Sequence, residues 1–150
     1  MIRALLLALT MTGSAFASVA DDLRKFEGYR EHAYVDTTGH FVVGYGHRCE
    51  RGAKVSRIEA EELLIIDINR ARMGAARVFQ SYGSQPAHVQ DVLVEATFQM
   101  GAAGMRKFVK FGEAIQSRDY ALASACLIDS KFHKQAAVRC EALTRKLLTP

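Results

Sequence analysis

Apolar and polar positions follow two different rhythms along this chain, and the change of rhythm divides it. Around residue 40 the apolar residues form a short run, Phe41-Val42-Val43, fenced by Gly39 and Gly44. β-Branched and aromatic side chains suit a pleated surface, and glycine accepts the positive φ of tight turns at no steric cost. Residues 32–46 are therefore expected to form a small antiparallel sheet. From residue 57 the spacing lengthens to the three-and-four pattern of a helix. Ser56-Arg57-Ile58-Glu59 has the form of a capping box, in which the serine closes the first amides and the glutamate reaches back to the cap. A long helix over 57–80 should follow, with Ile58, Leu64, Ile65, Ile68, Ala75 and Phe79 among its apolar residues and Gly74 weakening its middle.

Ser81-Tyr82-Gly83-Ser84 reads as the loop that ends that helix. Pro86 suits a first helical turn, and the next helix should run over 86–100 through Val89, Val92, Leu93, Ala96 and Met100. Gly101 and Gly104 mark a turn, and further helices are expected over 105–117, 119–128 and 135–147. Ahead of the sheet, residues 20–27 read as a short helix with Leu23 and Phe26 on its apolar side. Asp21 and Asp22 occupy its first turn, where acids complement the helix dipole. The expected class is α+β, mainly helical: a small N-terminal sheet, one long helix, and a helical remainder. No repeat, low-complexity tract or linker divides it.

The N-terminus has a separate logic. Arg3 precedes the apolar run Ala4-Leu5-Leu6-Leu7-Ala8-Leu9, and small residues follow through Ala15-Phe16-Ala17-Ser18-Val19-Ala20. A basic start, a short apolar block and a small-residue exit describe a secretory signal peptide, with cleavage after Ala17 or after Ala20. The expected division is 1–20 as signal and 21–150 as one folded domain. Thr10 to Ala20 carries no charge, so an uncleaved signal-anchor at the inner membrane is the alternative.

Charge narrows the partners only a little. A net charge of +4 favours anionic polymers, among them nucleic acid and bacterial wall. The basic residues are scattered among acids rather than gathered in a run, which argues against a nucleic-acid groove. Cys49, Cys126 and Cys140 fit an exported protein but leave an odd thiol, and Cys126 and Cys140 are close enough in sequence to be candidates for a bridge. Neither C-x-x-C nor H-E-x-x-H spacing occurs, so no metal site is expected.

The candidate chemistry lies in residues 27–47. Glu27 and Asp36 are two carboxylates nine residues apart, followed by the glycine-punctuated strand and His47. Two carboxyl groups flanking one bond are the minimal equipment for cleaving a glycoside. Spacing alone also fits two surface carboxylates in an ordinary hairpin. The joint pattern is more specific: Glu27-Gly28, Arg30, Tyr34, Asp36, Gly39, Gly44, Gly46 and His47 fall without a gap. In this the segment resembles the phage-type lysozymes (endolysins). Phe98-Gln99-Met100-Gly101 and Ser130-Lys131-Phe132 with Gln135 and Arg139 extend the likeness, less specifically, across nearly all the chain after residue 20.

That resemblance implies a two-lobed lysozyme fold with a sugar cleft between the lobes. It implies a muramidase cutting the β-1,4 bond between N-acetylmuramic acid and N-acetylglucosamine with inversion, needing no cofactor and working as a monomer. Glu27 would be the general acid, its proton held by partial burial among Phe26 and Tyr29, and Asp36 would stay ionised to orient water or steady the sugar cation. The family threonine that helps hold the attacking water is Val42 here; Thr37, Thr38 or His40 are candidates to replace it. This departure supports an alternative, a wall-binding module with little turnover. The resemblance also sets Asp67 opposite His47 as a structural pair and Arg139 near the acid. Phe98, Gln99 and, more weakly, Arg48 are candidate sugar contacts.

Overall fold

Ser56 and Glu59 close on each other at the start of the long helix. Glu59 Oε2 accepts from the Ser56 amide at 2.7 Å, and Ser56 Oγ accepts from the Glu59 amide at 3.2 Å. The helix they open runs from Arg57 to Val78 in the computed structural model of this chain, which describes residues 13–149. Seven α-helices and one three-stranded sheet are described: α1 (Gly13–Glu27), β1 (Arg30–Val35), β2 (Phe41–Gly44), β3 (His47–Arg48), α2 (Arg57–Val78), α3 (Ala87–Lys107), α4 (Val109–Gln116), α5 (Tyr120–Ile128), α6 (Lys131–Gln135) and α7 (Ala137–Leu147). The fold is α+β and mainly helical, as the pattern predicts.

The buried stripe of α2 is Ala60, Leu64, Ile68, Ala71, Gly74 and Ala75. Ile58 and Ile65 fall outside it and are 74% and 42% exposed. Small residues dominate the stripe because α3 approaches closely: a Cβ at Gly74 would sit 3.1 Å from Thr97 Cγ2 and 3.3 Å from Ala102 Cβ. Gly74 thus admits a neighbour, beyond any cost to its own helix.

Four boundaries differ from the expected ones. Residues 82–84 of the predicted loop form a single 3-10 turn. The turn expected at Gly101 is a kink inside α3, where Gly101 takes φ 72° and ψ 159° while helix continues on both sides. The single helix expected over 135–147 is two, broken where Ala136 adopts φ −146° and ψ 60°. The helix expected to begin at residue 20 begins at Gly13 and sends Val19, Ala20 and Leu23 into the core at 2% exposure or less. Residues 1–12, most of the expected signal, lie outside the described residues. Among those described, no helix is long and apolar enough to cross a membrane.

The strands pair in order β1-β2-β3, all antiparallel, with Tyr34 opposite Val42, and Val42 and Val43 opposite Arg48 and His47. The sheet is tied to the helices by Glu61 of α2, which accepts from Arg24 of α1 at 2.8 Å and from the Tyr45 hydroxyl at 2.8 Å. Within the helical lobe, Leu93, Phe111, Ile115, Leu127, Leu143 and Leu147 are fully buried. Lys146 of α7 crosses that lobe to Asp22 of α1 at 2.7 Å and Glu95 of α3 at 2.6 Å. Burial pushes the Glu95 carboxyl up to about 7 and that of nearby Asp91 up to about 6, against the pull of Lys146.

The three cysteines are free, which corrects the bridge considered for Cys126 and Cys140. Cys140 is buried and turns its thiol to the Leu127 carbonyl at 3.3 Å, and burial raises that thiol to about 11.

Candidate active site

A cleft of 920 Å³ separates the sheet from α3, with Glu27, Asp36, Val42 and Arg48 on its walls facing the α3 residues Phe98 and Gln99. It brings together seven of the nine residues singled out from sequence once Arg139 is included through its bond to Glu27.

Glu27 is the last residue of α1, and Gly28 at φ 67° turns the chain away immediately after it. Gly46, at φ 83°, lies so near that an added Cβ would be 3.3 Å from Glu27 Oε2. Bare backbone at residue 46 therefore keeps Glu27 open to the cleft. Arg139 of α7 donates through Nη1 to Glu27 Oε1 and to Gln99 Oε1, binding helix end, cleft wall and C-terminal helix at one point. Arg139 is 6% exposed, and its guanidinium lies 5.7 Å and 5.9 Å from the ring centres of Phe26 and Phe98. Aromatic faces offer a desolvated cation partial compensation.

Asp36 is held quite differently. It opens the turn between β1 and β2, and its Oδ1 accepts from the Thr38 amide at 2.8 Å, the Thr38 hydroxyl at 2.8 Å and the His40 amide at 2.9 Å. These bonds, led by the His40 amide, hold its carboxyl below the usual carboxylate range. Asp36 is thus a persistent negative charge on the cleft rim. Val42, in the middle of β2, is 3% exposed and brings only methyl groups to the wall.

His47 Nδ1 meets Asp67 Oδ2 at 2.7 Å, pinning β3 to α2, and Arg70 reaches the other Asp67 oxygen at 3.0 Å. Both His47 and Asp67 stand outside the main cleft; Asp67 lines a smaller hollow of 340 Å³ between α2 and α3. Arg30 and Tyr34 also line the main cleft, and sequence reasoning left them out of the site. The Arg30 guanidinium lies 4.4 Å from the Tyr34 ring centre. Both belong to the gap-free pattern of residues 27–47 that carries the family likeness, which was the available signal, and the register of β1 against β2 shifts between them. Among the described residues no group of three or more His, Cys, Asp or Glu is placed to hold a metal ion.

A mainly helical fold with a small sheet, and two carboxylates on the cleft between them, defines the lysozyme-like class. The sequence profile described as Phage lysozyme matches residues 24–147, and the chain belongs to that family. It is 29% identical over 131 residues to Peptidoglycan hydrolase gp36 of Pseudomonas phage phiKMV. That alignment takes in 84% of this chain but 14% of the phage protein, so the chain spans only a small part of its relative's length.

Proposed function

We propose that this chain hydrolyses peptidoglycan glycan strands as a muramidase, cutting the β-1,4 bond between N-acetylmuramic acid and N-acetylglucosamine. The observation that carries the reading is that Glu27 and Asp36 line one cleft while being held by separate parts of the fold. Glu27 gives its proton to the leaving glycosidic oxygen, and Arg139 stabilises the carboxylate so formed. Asp36, ionised and on the opposite side of the scissile bond, steadies the positive charge growing on the sugar and receives a proton from the attacking water. Attack by water from that side inverts the anomeric centre. Phe98, Gln99 and Arg48 contact the sugars along the cleft. The name of the phage relative, a peptidoglycan hydrolase, supports the substrate.

Loss of turbidity from a peptidoglycan suspension, with Glu27→Gln beside the natural chain, tests this. Equal rates for the two would sink it. A second reading, a wall-binding module, draws on Val42: a fully apolar side chain stands where the family places a hydroxyl. Glycan binding by the natural chain with no turnover would favour it.

Such an enzyme acts outside the cytoplasm, which agrees with the signal-like N-terminus. Val19 and Ala20 favour cleavage after Ala17, because a cut after Ala20 would strip two side chains from the core. The mass of the exported protein distinguishes these two cuts from an uncleaved anchor.

A further inference from the structure

The proposed reaction needs a polar group to orient its water, and residue 42 offers none. On the same cleft wall, the turn after Asp36 carries a chain of three polar side chains. Thr38 Oγ1 lies 2.8 Å from Asp36 Oδ1 and 2.8 Å from His40 Nδ1.

A hydroxyl has one hydrogen to give, and an ionised carboxylate can only accept. The Thr38 hydrogen therefore points to Asp36. Were it turned to His40 instead, Oγ1 and Oδ1 would face each other at 2.8 Å with no hydrogen between them. Thr38 must then accept from His40, so Nδ1 carries the ring hydrogen. Arg48 Nη2 stands 3.5 Å from that same Nδ1, at the outer limit of a hydrogen bond and donor to donor. In the neutral ring the lone pair is left on Nε2. Asp36 has a matching division: Oδ1 is taken by three donors, while Oδ2 has no hydrogen bond among the described residues.

We propose that His40 Nε2 orients the attacking water in place of the hydroxyl that Val42 lacks, with Thr38 as the positioning residue that fixes the ring. This rests on the muramidase reading and deepens it. Water donates one O–H to His40 Nε2 and the other to Asp36 Oδ2. Its oxygen lone pair attacks the anomeric carbon, and the bond to the leaving sugar breaks with its electron pair moving to the glycosidic oxygen. That oxygen takes the Glu27 proton. The water proton aimed at Asp36 passes to Oδ2, and the remaining O–H becomes the new anomeric hydroxyl, still bonded to His40.

The test is steady-state hydrolysis of peptidoglycan by the full chain. His40→Ala should lower kcat about 10²-fold with KM little changed, since water positioning acts in the transition state. His40→Asn, which keeps a donor for Thr38 but loses the Nε2 acceptor, should be equally slow with an unchanged unfolding temperature. Adding Val42→Thr to His40→Ala should restore about tenfold of the lost rate, because a hydroxyl returns to the wall. A purely structural His40 would show no such recovery. Natural rates in His40→Ala or His40→Asn, beside an inactive Glu27→Gln, would overturn the role of His40 and leave the muramidase reading intact. A slow His40→Ala that Val42→Thr fails to rescue would also overturn it. A natural chain no faster than Glu27→Gln would remove both.

Discussion

Glu27 and Asp36 share a cleft, yet the fold secures them by opposite means. Glu27 hangs from a tertiary junction: Arg139 is 112 residues away in sequence, and the same guanidinium grips Gln99. Asp36 is held by residues two and four positions along its own turn. One carboxylate is placed by the docking of three helices, the other by a self-contained hairpin turn. The difference teaches where each half is vulnerable. Loosening the helical lobe disturbs the acid and spares the turn, while changing the turn disturbs the charge and spares the core.

The largest expected effect is the loss of the acid itself. Glu27→Gln should reduce hydrolysis by at least ~10²–10⁴-fold, the usual worth of a positioned proton donor. The native circular-dichroism spectrum should be retained but the melt lowered, because the buried Arg139 guanidinium loses its anionic partner. Next comes the junction. Arg139→Met should slow hydrolysis and also destabilise the fold, by ~1–3 kcal/mol in denaturant unfolding, because it leaves Glu27 and Gln99 without their shared donor. Thr38→Val should slow hydrolysis with less than about 1 kcal/mol of destabilisation, since the turn is exposed and keeps two backbone amides on Asp36. If Thr38→Val unfolds the chain as readily as Arg139→Met, the contrast between local and tertiary placement is wrong.

The smallest effects appear in the pH dependence of stability, where the two regions have opposite signs. On the sheet side Glu61, bonded first of all to Arg24, titrates below its ordinary range, as does Asp36. Each contributes stability present above its unfolded pKa and lost as pH falls through the lower folded value. In the helical lobe, Glu95 is raised to about 7 and Asp91 to about 6. The folded state there holds more protons than the unfolded one, so stability falls as pH rises from the ordinary carboxylate range through those values. Glu95→Gln should flatten the melting temperature between about pH 5 and pH 7, and Glu61→Gln should flatten it only in the acid limb. Identical pH profiles for both variants would erase the distinction.

The same contrast explains what could be read from sequence. The turn of Asp36, the capping box at Ser56 and the strand 41–44 are local, and their residues announce themselves within a few positions. The placement of Arg139 against Glu27 came only through the family likeness, because nothing near residue 139 encodes a partner in α1. Apolar spacing does not say which stripe of a helix its neighbours will cover, and Ile58 and Ile65 lie outside the buried stripe of α2. Gly74 looked like a weakness until α3 was seen pressing on it. The break at Ala136 has no glycine or proline to mark it, so the final helix read as continuous.

The bond between Glu27 and Arg139 also has a consequence in time. A chain that emerges N-terminus first presents α1 and the hairpin long before α7 exists. Throughout that interval Asp36 can take up its turn, but Glu27 has no anchor, and Lys146 has not yet reached Asp22. Contacts of such long sequence separation are among the last to close. On the muramidase reading proposed above, a half-made molecule would therefore be inert, and activity would arrive only with the final helix, as a single late event.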